Sequence, residues 1–185
     1  MQRLLALALA LSLLAPPAFA AELAGVRVPD AITVQGHTLR LQGLGLRKKF
    51  FFKVYVGALH LTTATSDAAA AIRADEPKRI SMYFLRDVGG DKLRDAFEEG
   101  FFKAAQERLD ALRARIDRFL ALFPDEVEDG QVVTLTYLPG QGTEVAIAGQ
   151  VKGVIEGKDF MEALWGIWLG EVPADSRLKK GMLGG

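Results

Sequence analysis

The apolar residues of this chain change their period three times, and that order narrows the fold before any motif is read. From Val26 to Leu41 they alternate with polar neighbours. Val26 and Val28 do so first, then Ile32 to Val34, then Leu39 and Leu41 against Arg40 and Gln42. Successive side chains of a strand point to opposite faces, so a period of two marks half-buried strands. Gln35-Gly36 is the turn between two such arms, and Pro29-Asp30 is another. Gly43 and Gly45 are expected to loosen the end of the 38–46 arm. Phe50 to Leu61 reads as one long strand rich in aromatic and β-branched residues, the types that suit a pleated surface.

Ser66 or Asp67 then caps a short Ala-rich helix to about Arg73, and Pro77 ends that unit. Arg79 to Leu85 is a strand with Ile80, Met82 and Phe84 on one face. Beyond Gly89-Gly90 the period becomes helical. Asp91 is the expected N-cap, and Leu93, Ala96, Phe97, Gly100, Phe101 and Ala104 form one stripe of a helix running to about Leu112. Ile116, Phe119, Leu120 and Phe123 form a second stripe, closed by Pro124. Strands return at Gln131 to Leu138, Glu144 to Ala148 and Val151 to Ile155. A helix over Lys158 to Leu169 and a short one from Asp175 through Lys179 follow. Runs of strands followed by runs of helices give an α+β domain: one large antiparallel sheet under a layer of helices.

The N-terminus adds a processing signal. Arg3 precedes an apolar run from Leu4 to Leu14, Pro16 and Pro17 interrupt it, and Ala18-Phe19-Ala20 has the small-x-small pattern of a cleavage site. This is the layout of a secretory signal peptide over 1–20, cleaved after Ala20. The run is shorter than the roughly 20 residues a spanning helix needs. The expectation is an exported, periplasmic domain over 21–185 with no transmembrane segment in the mature protein. The absence of cysteine excludes disulfides and thiol catalysis. Balanced charges, 23 basic against 23 acidic residues, argue against a nucleic-acid partner.

Catalytic constellations are missing. His37 and His60 have no second histidine or carboxylate at metal-ligand spacing. There is no Gly-x-Ser-x-Gly and no phosphate-binding glycine loop. No metal, cofactor or catalytic residue is assigned. Asp117 with Asp125 or Glu126 reads better as a solvated helix face and loop than as a carboxylate pair.

The most informative segment is Gly43 to Leu61. If its strand runs back without a bulge, Arg47 joins Phe51, Lys53, Tyr55, Gly57, Leu59 and Leu61 on one face. Two readings fit. In one, a guanidinium and a phenol among apolar groups hold a carboxylate by charge-assisted hydrogen bonds. In the other, Arg47, Lys48 and Lys49 are a solvated cationic turn and Tyr55 is core.

This segment resembles the opening strands of the chalcone isomerase superfamily. It is most like the bacterial chalcone-isomerase-like proteins, which share Gly-x-Gly-x-Arg-x-Lys followed by Phe-Lys-Val-Tyr-Val-x-Ala-Leu. Lys78 to Val88, Gly157 to Gly170 and Leu178 to Gly184 are similar to later parts of the same family. The resemblance implies an open-faced β-sandwich with ligands in a cleft between the sheet and the helices. The family holds enzymes that cyclise chalcones and non-enzymatic relatives that bind fatty acids. Arg47 matches the arginine that serves the ligand in both branches, and Tyr55 matches the tyrosine that joins it at a fatty-acid carboxylate. The enzymes carry threonine at the Tyr55 position. Their helical tyrosine and asparagine fall here on Leu93 and Gly100, and their late polar pair falls near Gly166 and Ile167.

With the signal peptide, the resemblance thus implies a periplasmic, non-enzymatic binding protein for a hydrophobic carboxylate such as a fatty acid. Arg47 and Tyr55 would hold the head, and Phe51 and Leu59 would help line the cleft. The helices carrying Phe97 and Phe101, and Trp165 and Trp168, would close it. One alternative is an isomerase or intramolecular lyase acting on an enone-like molecule. Another is an envelope interaction protein without ligand, using Trp165 and Trp168 as an exposed partner surface.

Overall fold

The computed structural model describes residues 19–185. The expected signal peptide therefore lies outside the described residues, save its last two. Strands β1 (Phe19–Leu23) and β2 (Val26–Pro29) pair across a turn at Ala24-Gly25. Cleavage after Ala20 would leave Ala21, Glu22 and Leu23 opposite Val28, Arg27 and Val26.

The main sheet is built from β3 (Ala31–Val34), β4 (His37–Lys49), β5 (Phe52–Leu61) and β6 (Lys78–Phe84), with β9 (Val132–Leu138), β10 (Gly142–Ile147) and β11 (Gln150–Ile155). These seven strands are ordered β11-β10-β9-β6-β5-β4-β3. Every neighbouring pair is antiparallel. A two-strand ribbon, β7 (Val88–Gly89) with β8 (Glu126–Val127), sits apart from it. The helices are α1 (Ala68–Arg73), α2 (Gly90–Ala105), α3 (Leu109–Leu120), α4 (Lys158–Leu169) and α5 (Ser176–Met182).

Register shows how the alternating pattern becomes a core. Leu59, Ile80, Leu135 and Val145 lie in one cross-strand row, and Gly57, Met82 and Val133 in the next. The side chains of Leu59, Ile80, Met82, Val133, Leu135 and Val145 are buried against Phe97, Phe101, Phe119, Phe160 and Trp168 of the helical layer. Burying each large apolar side chain contributes about 1.5–3 kcal/mol. On the opposite face Val34, Leu39 and Leu138 form a small second cluster. There the side-chain amides of Gln35 and Gln141 donate to each other at 3.2 and 2.9 Å. That contact joins the β3–β4 and β9–β10 turns, far apart in strand order, so the sheet curls. The result is the expected α+β arrangement of an antiparallel sheet under helices.

Several local expectations change. The helix expected from Asp91 begins at Gly90, with Gly89 as N-cap, and Asp91 instead pairs with Arg94 at 2.6 Å in the first turn. That helix stops at Ala105 rather than near Leu112. Gln106 takes φ 47, and a short 3-10 turn at Gln106–Arg108 leads into α3. Trp165 and Trp168 are buried in the core, so they offer no exposed partner surface. Asp117 is tied to Arg113, which also grips Glu98, so it forms no carboxylate pair. His60 is buried with Nε2 3.0 Å from the Pro29 carbonyl. Lys78 is buried too, its ammonium donating to the carbonyls of Ala71 at 2.7 Å and Ile72 at 2.9 Å. It thereby satisfies carbonyls at the open end of α1.

Candidate ligand-binding cleft

Gly43 and Gly45 do not loosen β4; they admit α5. A Cβ at Gly43 would lie 2.3 Å from the Gly181 carbonyl oxygen, and one at Gly45 would lie 2.2 Å from that of Leu178. Only glycine permits this strand-to-helix backbone approach. Gly57, opposite Gly45 on β5, is covered by the side chains of Leu178 and Met182.

Seating α5 brings its N-cap to Arg47. One Asp175 carboxylate oxygen accepts from the N–H groups of Arg177 at 2.9 Å and Leu178 at 3.1 Å. The other lies 3.3 Å from Arg47 Nη1, which also donates to the Lys48 carbonyl at 2.9 Å. Burial works to raise the Asp175 pKa, but the two backbone donors and Arg47 outweigh it and hold the carboxyl below its ordinary value. The Arg47 guanidinium is thus fixed through Nη1, with Nη2 and Nε making no hydrogen bond to the described residues.

Arg47 and Tyr55 do share a face, for a different reason from an unbroken strand. They sit on separate arms of the β4–β5 hairpin and are direct cross-strand partners. Past that pair the register slips, with Lys48 opposite Lys53 and Val54 left over as a bulge. A bulge shifts the side-chain alternation by one. Phe52 and Lys49 therefore fall on the Tyr55 side, whereas strict alternation would have chosen Phe51. Phe51 occupies the hairpin turn, is 98% exposed and does not line the cleft. Leu59 is on the inner face but fully buried, beyond Gly57 and its cover, and does not line the cleft either.

The Tyr55 hydroxyl accepts a 2.9 Å hydrogen bond from Trp168 Nε1. Burial pushes its pKa up to about 12, against the opposing pull of the Trp168 hydrogen bond and the Arg47 charge. It stays a neutral phenol, with its oxygen fixed by Trp168 and its proton free to donate elsewhere.

The cleft has a volume of about 590 Å³ and lies between the sheet and the helices. Tyr55, Met82 and Phe84 form its floor, Leu93 and Phe97 its roof, and Ile167 with Trp168 its back wall. Charges lie at the rim, where Lys49, Arg86, Lys92, Asp95 and Glu99 are exposed. An apolar interior with a few convergent polar groups is the usual make-up of a small-molecule site. Of the positions that resemblance aligns with the enzymes' polar groups, Leu93, Gly100 and Ile167 line this cleft without a donor. A Cβ at Gly100 would lie 2.7 Å from Ile167 Cγ2, so the helix packing leaves no room for a polar side chain there. Sequence reasoning missed Asp175 as the partner of Arg47. Its one signal, N-cap spacing before 176–178, announces a helix and not the strand that helix meets.

A family model described as chalcone isomerase-like matches residues 20–184. Among solved structures, a fatty-acid binding protein of Arabidopsis thaliana aligns with a TM-score of 0.68 at 20% identity. It spans 86% of this chain and 92% of the plant protein. No curated protein sequence matches the chain. At that identity the structural likeness speaks for the fold.

Proposed function

The chain belongs to the chalcone isomerase-like family, and from that premise we propose that it is a non-enzymatic binding protein for a hydrophobic carboxylate, most simply a fatty acid. One observation carries the reading: an apolar cleft of about 590 Å³ has Arg47 and Tyr55 side by side on one wall. The carboxylate accepts from the open side of the Arg47 guanidinium and from the Tyr55 hydroxyl, and the alkyl chain lies between Phe84, Leu93 and Phe97. The similar fold of a plant fatty-acid binding protein supports the ligand class. Export to the periplasm, argued from residues 1–20, belongs to the same proposal.

The test compares a fatty acid with the fatty alcohol of equal length. Hydrogen bonds to charged groups contribute about 1.5–3 kcal/mol. Arg47→Gln should therefore weaken the acid by roughly tenfold or more while leaving the alcohol near wild type. Equal losses for both ligands, or no loss of the acid, would reject Arg47 as the carboxylate's partner. Native mass spectrometry of protein purified from its own host then identifies the cargo.

A further inference from the structure

The cleft opens beside a hairpin tip of unusual composition. Residues 47–53 hold Arg47, Lys48, Lys49 and Lys53 with no acidic residue, in a chain whose charges balance only when this tip is counted. Between them stand Phe50, Phe51 and Phe52, which are 85, 98 and 58% exposed. These are three of the few large hydrophobic side chains left in water among the described residues.

Two features of the tip work against folding stability. Lys48 and Lys53 are direct cross-strand partners, and like charges so placed repel. No carboxylate pairs with Lys48, Lys49 or Lys53 among the described residues. Phe50, the first residue of the tight turn, takes φ 55, where glycine is the usual occupant of such a hairpin. Strain and repulsion gathered at one exposed place point to a role there.

Aromatic side chains flanked by lysines match the interface of an anionic bilayer. The rings enter the boundary between headgroups and acyl chains, and the ammonium groups meet the phosphates. We infer that the β4–β5 tip docks on an anionic lipid surface and sets the mouth of the cleft at headgroup depth. Phe50, Phe52 and Lys49 belong both to the tip and to the cleft rim, so docking leaves no water gap between lipid and cleft. Exposed Val172 lies on the same rim. Among the described residues no helix is long and apolar enough to cross a membrane, and docking by this tip is peripheral.

The experiment is co-sedimentation of the processed protein with vesicles of phosphatidylcholine alone or with about a third phosphatidylglycerol. Intact mass first confirms loss of the leader, since the Leu4–Leu14 run would itself enter lipid. Wild type should bind the anionic vesicles, bind neutral ones far less, and detach at 1 M salt, where screening acts within about 3 Å. Phe51→Ser should weaken binding by about tenfold. Lys48→Gln with Lys53→Gln should weaken it roughly fivefold per lysine. None of these three residues lines the cleft, so fatty-acid binding in solution should be unchanged in both variants. Equal sedimentation with both vesicle types, or full binding by either variant, would overturn the inference. Failure to bind fatty acid in solution would instead strike the carrier reading and leave docking standing.

Discussion

Adding one methyl group at Gly45 should change the protein in two ways at once. The new Cβ would sit 2.2 Å from the Leu178 carbonyl oxygen and 2.9 Å from both the carbonyl carbon and Cα of Leu178. Non-bonded carbons prefer about 3.5–4.0 Å, so the backbone of α5 must retreat by about an ångström. Overpacking of this kind costs about 1–3 kcal/mol, which in a domain this size lowers the melting temperature by about 2–12 °C. Gly57→Ala is the matched control. Its Cβ would press on the flexible ends of Leu178 and Met182, at 3.0 and 3.1 Å, and meet the Tyr55 ring at an ordinary 3.6 Å, and should cost under about 1 kcal/mol. Retreat of α5 also draws Asp175 away from Arg47 and relieves its repulsion of an arriving carboxylate, so Gly45→Ala should tighten fatty-acid binding although Gly45 does not line the cleft. Urea unfolding followed by tryptophan fluorescence gives the stabilities, and titration with fatty acid gives the affinities. If Gly45→Ala costs no more than Gly57→Ala, the close approach of α5 to β4 is not what these glycines serve.

Trp168→Phe removes the donor to buried Tyr55 and should cost about 1–3 kcal/mol in denaturant unfolding. The double variant with Tyr55→Phe should cost less than the sum of the singles, by at least about 0.5 kcal/mol. Burial lowers Lys78 from 10.5 to about 8; between those values the unfolded chain keeps a proton that the folded chain has released, and stability should rise with pH. Tyr55, raised by burial from 10.0 to about 12, acts in the opposite sense above pH 10. The unfolding free energy from urea titrations should therefore climb by on the order of 1–3 kcal/mol from pH 8 to about pH 10 and then fall, and Lys78→Met should abolish the climb. Asp175→Asn keeps a good helix cap but frees the Arg47 charge, so isothermal titration should show tighter fatty-acid binding, by several-fold, with at most about 1 kcal/mol of lost stability.

The fold was legible because its core follows the two simple periods. Leu59, Ile80, Leu135 and Val145 fall on one face by alternation, and Phe97 and Phe101 by helical spacing. The helix over 158–169 was readable to the residue, because its apolar positions are dense and Gly157 and Gly170 bracket it. The α2–α3 break was not, since the stripe of apolar residues continues past Gln106 and a single positive φ interrupts the backbone without a glycine to announce it. At the site, Arg47 and Tyr55 were legible as a pair, but the hairpin turn and the bulge at Val54 were hidden inside what reads as one β-favouring run. That slip is why Phe51 looked like a lining residue and Phe52 did not. Gly43 and Gly45 were visible as glycines, while their reason, a helix more than a hundred residues later, is a long-range contact that no local pattern carries.

Asp175 explains how a cationic side chain can be kept at the wall of an apolar cleft. A buried guanidinium without a partner would be costly, and here an N-cap carboxylate supplies that partner while cap and strand hold it in place. The arrangement also limits how tightly a second carboxylate can bind, because the arriving anion shares Arg47 with Asp175 and feels its repulsion. An enzyme that must polarise a carbonyl in its transition state would be weakened by such a fixed counter-charge beside its electrophile. A carrier would benefit, since its cargo must leave as well as enter. The same side chain that seats α5 would thus set the release of the proposed ligand, at the end of the cleft nearest the lipid-facing tip.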